Sequence, residues 1–210
     1  MNRWQAEGAI RALGRSDPKL GAFIRRHGPC LLQPTGVASP FQALAESIVY
    51  QQLSGKAAAT IYGRFAALYP RRRPTARRTL DLDEATLRTA GLSRNKALSI
   101  LDLAGRVLDR TVPGAARLQA MPDDEIIDRL TAVRGIGPWT VQMLLIFNLG
   151  RPDILPATDY GIQKGLQRLH RLRQLPKPRD IETLGACWAP WRSIASWYLW
   201  RAAETAGRSA

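Results

Sequence analysis

Apolar residues recur at three- and four-residue steps along nearly the whole chain, and period-two alternation is rare. That spacing lines one face of a helix and does not suit a half-buried strand. After Pro40, the residues Phe41, Leu44, Ala45, Ile48 and Val49 fall at i, i+3, i+4, i+7 and i+8. Start and stop signals punctuate the pattern. Ser16-Asp17-Pro18 opens a helix expected to end near Gly28, and Ser39-Pro40 opens the run just described. Ser54 opens a helix carrying Ala58, Ile61, Phe65 and Leu68 inward. Asp83 opens a short one stopped by Gly91, and Ser93 a longer one with Ala97, Ile100, Leu101, Ala104 and Leu108. Further helices are expected near 123–132, 138–148, 159–169 and 190–206. The expected fold class is all-α.

A chain of 210 residues, 45% hydrophobic, suits one domain or two lobes with a real core. Its formal net charge of +14, mostly from arginine, favours an acidic partner, and nucleic acid is the commonest. The two cysteines, Cys30 and Cys187, and two histidines, His27 and His170, have no metal-ligand spacing. Two cysteines also exclude a four-cysteine iron–sulfur cluster within the chain. Free buried thiols are expected, with a disulfide left open. The start, MNRWQAEGAI, has no apolar signal core, and the run Met143–Phe147 is too short to span a bilayer. A cytoplasmic protein is expected, with no membrane partner.

Two helical runs are interrupted by Arg134-Gly135-Ile136-Gly137-Pro138. Ile126, Ile127, Leu130 and Val133 face one way before it, and Val141, Leu144 and Leu145 after it. Pro138 suits a first helical turn, and the glycines permit positive φ and leave no Cβ to block an approaching group. Amides at such a helix start favour an anion, and on a basic chain a DNA phosphate is the natural candidate. An ordinary helix–helix turn is the alternative. A second basic feature is Pro70-Arg71-Arg72-Arg73-Pro74 with Arg77 and Arg78, read either as a solvated loop or as a nonspecific phosphate contact.

The segment LTAVRGIGPWT (130–140) resembles the helix-hairpin-helix of the DNA glycosylases known as the HhH-GPD superfamily. GRPDILPATDYGIQKG (150–165) is similar to the Gly/Pro-rich loop and aspartate that follow the hairpin there. SIVYQQLS (47–54) resembles the family's DNA-inserting loop region, and AGLSRNKA (90–97) and PWRSIASWYLW (190–200) also match. The resemblance runs from about residue 36 to 203, and the nearest branch is the bacterial 3-methyladenine DNA glycosylase II type.

The resemblance implies a monofunctional glycosylase of base excision repair, acting on alkylated purines flipped out of double-stranded DNA. It makes Asp159 the catalytic carboxylate, stabilising an oxocarbenium-like sugar. By spacing alone Asp159 is a helix N-cap, a role compatible with the first. Asp153 is the rival carboxylate. Strand-cutting relatives carry a nucleophilic lysine directly after the hairpin. Here Trp139 stands at that position, and an indole cannot form a Schiff base. The family pattern gives no support to Lys164 as a lyase amine. Trp139 would stack on the extruded base, core packing being the alternative. Met143, where some relatives have an aromatic residue, and Trp200 complete the implied base pocket, while Trp197 is assigned to the core.

The implied DNA contacts are Gln51, Gln52 and Leu53, with Gln52 the first choice as wedge, and Arg134, Gly135, Ile136, Gly137 and Thr140 at the hairpin. The implied architecture is two-lobed, without an N-terminal β-sheet domain. Residues 41–150 would form a central lobe holding the hairpin at about 124–148. Residues 1–40 with 151–210 would form a second lobe, the active site lying in the groove between. No cofactor is expected, although a monovalent cation at the hairpin is left open. The expected partner is damaged duplex DNA, bound by a monomer in the bacterial cytoplasm and associated with the nucleoid through DNA. Glycosylases for deaminated or oxidised bases, and a noncatalytic hairpin DNA-binding protein, remain the alternatives.

Overall fold

Short polar side chains open the helices where the chain needs them. Asp17, Ser39, Ser54, Thr75, Asp83, Ser93 and Asp159 each accept a hydrogen bond from an amide of the first helical turn. The computed structural model describes residues 7–204, which contain thirteen α-helices and no β-strand. In chain order they are α1 (Glu7–Ser16), α2 (Pro18–His27), α3 (Pro40–Tyr50), α4 (Gly55–Ala67), α5 (Ala76–Thr79), α6 (Glu84–Thr89) and α7 (Arg94–Leu108). There follow α8 (Ala115–Ala120), α9 (Asp123–Thr131), α10 (Pro138–Leu144), α11 (Tyr160–His170), α12 (Pro178–Gly185) and α13 (Arg192–Glu204). Among the described residues no helix is long and apolar enough to cross a membrane.

The all-α class expected from periodicity is the class found. Details differ. The helix expected over 138–148 is α-helical only to Leu144 and then widens into a π-turn over Leu145–Leu149. There the carbonyls of Phe147 and Asn148 accept hydrogen bonds from the Thr35 and Gly36 amides, both at 3.0 Å. The helix expected over 190–206 begins at Arg192, whose amide is capped by Asp153, and residues 205–206 lie outside the described residues. The basic stretch read as a loop is a 3-10 turn, Pro70–Arg72, followed by α5. In α7 the inward residues are Ala97, Ile100, Leu103 and Ala104, whereas Leu108 is exposed. Helices α1, α8 and α12 were not foreseen from the sequence.

The chain divides into two units. One combines Met1–Gly36 with Leu145–Ala210, and the other is Val37–Leu144. In the first, α11 packs on α13 and α1 on α2. Its core holds Leu13, Leu20, Ile162, Leu166, Trp188 and Tyr198. In the second, α7 packs against α3, α5 and α6, and α9 against α10, around Leu44, Phe65, Ile100, Leu103 and Ile126. Both cysteines are free. Cys30 is buried, and burial raises its thiol pKa to about 11. Cys187 is exposed, which corrects the expectation of two buried thiols.

A buried carboxylate ties the first unit together. Asp17 caps α2 through Oδ1, accepting from the Lys19 and Leu20 amides at 3.0 Å each. Its Oδ2 accepts from the Trp188 indole at 3.2 Å and lies 3.0 Å from His170 Nε2. Asp17→Ala leaves several of these partners without an acceptor, and we expect a loss on the order of 3 kcal/mol. Urea unfolding checks this: a change within 0.5 kcal/mol, the usual spread of about ±0.5 for surface substitutions, would refute it.

Candidate active site and nucleic-acid interface

Asp159 sits where an N-cap residue belongs. A turn closed by Asp159 N–H donating to Pro156 O at 2.9 Å delivers it to the start of α11. Its half-buried carboxylate accepts, at Oδ1, from the Ile162 amide and from the Trp200 indole, both at 2.9 Å. Two donors on one oxygen fix the orientation of the carboxylate. Of the two roles read for Asp159, the N-cap is the one observed, and capping holds the carboxylate in place.

The indole reaches Asp159 because α11 has no side chain in the way. A Cβ at Gly161 would stand 2.7 Å from Trp200 Cδ1 and 3.0 Å from Asp159 Oδ1. A Cβ at Gly165 would run into the backbone of Leu199. These two glycines, one helical turn apart, let α13 approach to a distance no larger residue allows. Phe147, carried on the π-turn, stacks on Trp200 with ring centroids 5.5 Å apart and an interplanar angle of 27°. Phe147 was absent from the sequence-based site. The π-turn that carries it has no distinctive composition.

Asp153 is engaged elsewhere. Arg192 grips it in a bidentate pair, Nε to Oδ1 at 2.7 Å and Nη2 to Oδ2 at 2.8 Å. That guanidinium holds the Asp153 carboxyl below the usual carboxylate range. Lys164 donates to Gln167 Oε1 at 3.0 Å on its own helix. Trp197 is buried, with the Arg201 guanidinium 5.4 Å from its ring.

In the second unit, Trp139, Thr140 and Met143 of α10 join Ser47, Tyr50, Gln51 and Gln52 around one pocket of about 470 Å³. Its volume lies within the range of small-molecule sites. Trp139 is 44% exposed, so core packing does not explain it. Tyr50, also exposed, gives the pocket a second ring.

The hairpin beside it is clamped from two sides. Arg134 N–H donates to Asp102 Oδ2 at 2.8 Å, an oxygen that also accepts from Arg106 Nε at 2.9 Å. Gln51 Nε2 donates to Gly135 O at 2.9 Å. Gly135 has φ +76°, and a Cβ there would meet Ser99 Oγ at 2.7 Å. Gly137 does not take positive φ, so of the two glycines only Gly135 uses that freedom. A Cβ on Gly137 would meet nothing within 4 Å, so its use is to leave space in front of the backbone. The amides of Gly135 and Gly137 have no acceptor among the described residues. Ile136 and Thr140, expected to touch DNA, have buried side chains, and the Ile136 amide donates to Val133 O at 3.1 Å. Thr140 instead helps line the pocket.

The turn after α3 is also fixed. Lys96 Nζ donates to Val49 O at 2.7 Å and Gln51 O at 2.8 Å, closing the open carbonyl end of α3. Burial lowers the Lys96 pKa. Gln51 is committed to the hairpin, while Gln52, with φ +56°, and Leu53 are exposed. Lys96, Ser99 and Asp102 were not assigned by sequence. The match over residues 90–97 contained Lys96, but nothing in its spacing specified two carbonyls on another helix.

A family model described as HhH-GPD superfamily base excision DNA repair protein matches residues 45–192. The chain is 36% identical over 168 residues to DNA-3-methyladenine glycosylase 1 of Schizosaccharomyces pombe, covering 80% of this chain and 74% of that protein. A solved structure of DNA-3-methyladenine glycosidase from Bacillus halodurans matches with a TM-score of 0.86 at 33% identity, over 96% of this chain and 91% of that one. The Schizosaccharomyces pombe 3-methyladenine DNA glycosylase in complex with abasic DNA matches with a TM-score of 0.80 at 32% identity, over 92% and 95% of the two chains. The matched residues include the hairpin, Trp139 and Asp159, and the chain belongs to the HhH-GPD superfamily of base excision DNA repair proteins.

Proposed function

We propose that this chain is a monofunctional DNA glycosylase that hydrolyses the N-glycosidic bond of alkylated purines, of the 3-methyladenine type, in double-stranded DNA. The carboxylate of Asp159, held by the Ile162 amide and the Trp200 indole, carries this reading. The likeness to DNA-3-methyladenine glycosylases supports the choice of substrate.

The duplex is anchored by phosphates at the open amides of Gly135 and Gly137, with Arg134 adding charge. Gln52, exposed on a strained turn, enters the space the extruded base leaves, with Leu53 beside it. Trp139 stacks on the base, with Met143 and Tyr50 beside it. An alkylated purine is electron-poor and cationic, so the indole face attracts it beyond area burial. The base is already a good leaving group, and a strong general acid is unnecessary. As the glycosidic bond breaks, positive charge grows on the sugar and Asp159 stabilises it electrostatically. The same carboxylate orients the water that completes hydrolysis. Trp200 is a positioning residue that keeps Oδ1 in one place while that charge develops. We infer that this chemistry uses no cofactor, with a monovalent cation at the hairpin as an optional aid to phosphate binding.

Asp159→Asn should lower the single-turnover rate of 3-methyladenine release by at least roughly 10²-fold, with undamaged-duplex binding retained. Trp200→Phe keeps the ring but removes the donor, and should lower that rate by roughly ten- to hundredfold. Near-normal turnover by Asp159→Asn would defeat the catalytic assignment. Borohydride reduction during turnover should trap no covalent enzyme–DNA adduct, because Trp139 stands where strand-cutting relatives carry an amine. A trapped adduct would contradict the monofunctional reading.

A further inference from the structure

Arg71, Arg72, Arg73, Arg77 and Arg78 are all exposed, and none pairs with a carboxylate among the described residues. Asp81, the nearest carboxylate in the sequence, makes no ion pair with them. A charge run that is merely solvated needs no fixed shape, yet this one is built. Tyr69 Oη and Thr79 Oγ1 hydrogen-bond at 2.8 Å beneath it, both residues buried, and Thr79 Oγ1 donates to Thr75 O at 2.8 Å. Gln42 Nε2 donates to Pro74 O at 3.0 Å. Between these ties, Arg71 and Arg72 hold φ of 55° and 54°. Glycine or asparagine would serve a simple chain reversal better in that region. Consecutive arginines there are kept against backbone strain, which points to a use for their side chains. The Arg72 and Arg73 amides bond to Tyr69 O and Pro70 O and the Arg72 side chain to Gly63 O, so the guanidinium groups of Arg71, Arg73, Arg77 and Arg78 are what the loop offers.

We propose that residues 70–78 form a second phosphate-binding platform for the DNA backbone, distinct from the hairpin. The proposal rests on the glycosylase reading. The platform follows the C-terminal end of α4, about 20 Å along that helix from the Gln51–Gln52 turn. It therefore takes phosphates away from the lesion, either on flanking DNA of the same duplex or on a second duplex. Guanidinium forks suit phosphate oxygens and carry no base preference.

The test is the variant R71Q/R73Q/R77Q/R78Q, which leaves the Arg72 bond to Gly63 O intact. Duplex affinity is measured against salt for the intact protein and the variant. The slope of log K against log[salt] should fall by about 2 to 4, at about 0.9 for each phosphate that the variant no longer neutralises. Single-turnover base release from a saturating short duplex should be unchanged, which also shows that the variant is folded. A loss confined to long duplexes identifies flanking phosphates as the source. A wild-type stoichiometry of two short duplexes per protein, reduced to one in the variant, identifies a second duplex. An unchanged slope overturns the proposal. So does an equal fall in the control R15Q/R117Q/R173Q/R179Q, which removes four scattered exposed charges. Failure of the glycosylase reading looks different, since the wild-type protein would then release no base from any duplex.

Discussion

The placement of the Asp159 carboxylate depends on two glycines. Gly161 and Gly165 remove side chains from one face of α11, and α13 moves into the space until Trp200 donates to Asp159. Without that approach the carboxylate would still cap its helix through the Ile162 amide but would lose the indole donor. Phe147 stacks on the indole and limits its movement in turn. A transition state that develops charge at a fixed point gains most from a group already fixed nearby, because no reorganisation is then required.

The second unit uses the same economy at the hairpin. Gly135 lets the backbone lie on Ser99, Gly137 leaves open space, and the ends are held by Asp102 and Gln51. The chain thus presents amides rather than side chains at this corner. Ile136 turns inward and anchors it. Trp139, in the first turn of α10, stays 44% exposed where it lines the pocket.

Much of this was legible because it is local. Caps at Asp17, Ser39, Ser54, Asp83, Ser93 and Asp159 read directly as helix starts, since capping needs only the residue and the amides two or three positions on. Asp159, Trp139 and Gln52 were singled out by motif order. What escaped depends on distant partners. Asp17 was readable as a cap but not as the acceptor for Trp188, 171 positions away. Lys96 lay in a matched segment with no role assigned to it, and it closes α3. Gly161 and Gly165 lie within the matched segment, yet their reason is the backbone of α13, which no local pattern describes. The π-turn escaped for the same reason, being held by amides of the segment at Thr35 and Gly36.

The most direct measurement is the identity of the bases released by the wild-type protein from methylated duplex DNA, with abasic sites counted in the same sample. The account predicts free 3-methyladenine and an equal number of intact-strand abasic sites. Tight duplex binding with neither product would contradict it, leaving the hairpin as an anchor and the carboxylate as a helix cap alone.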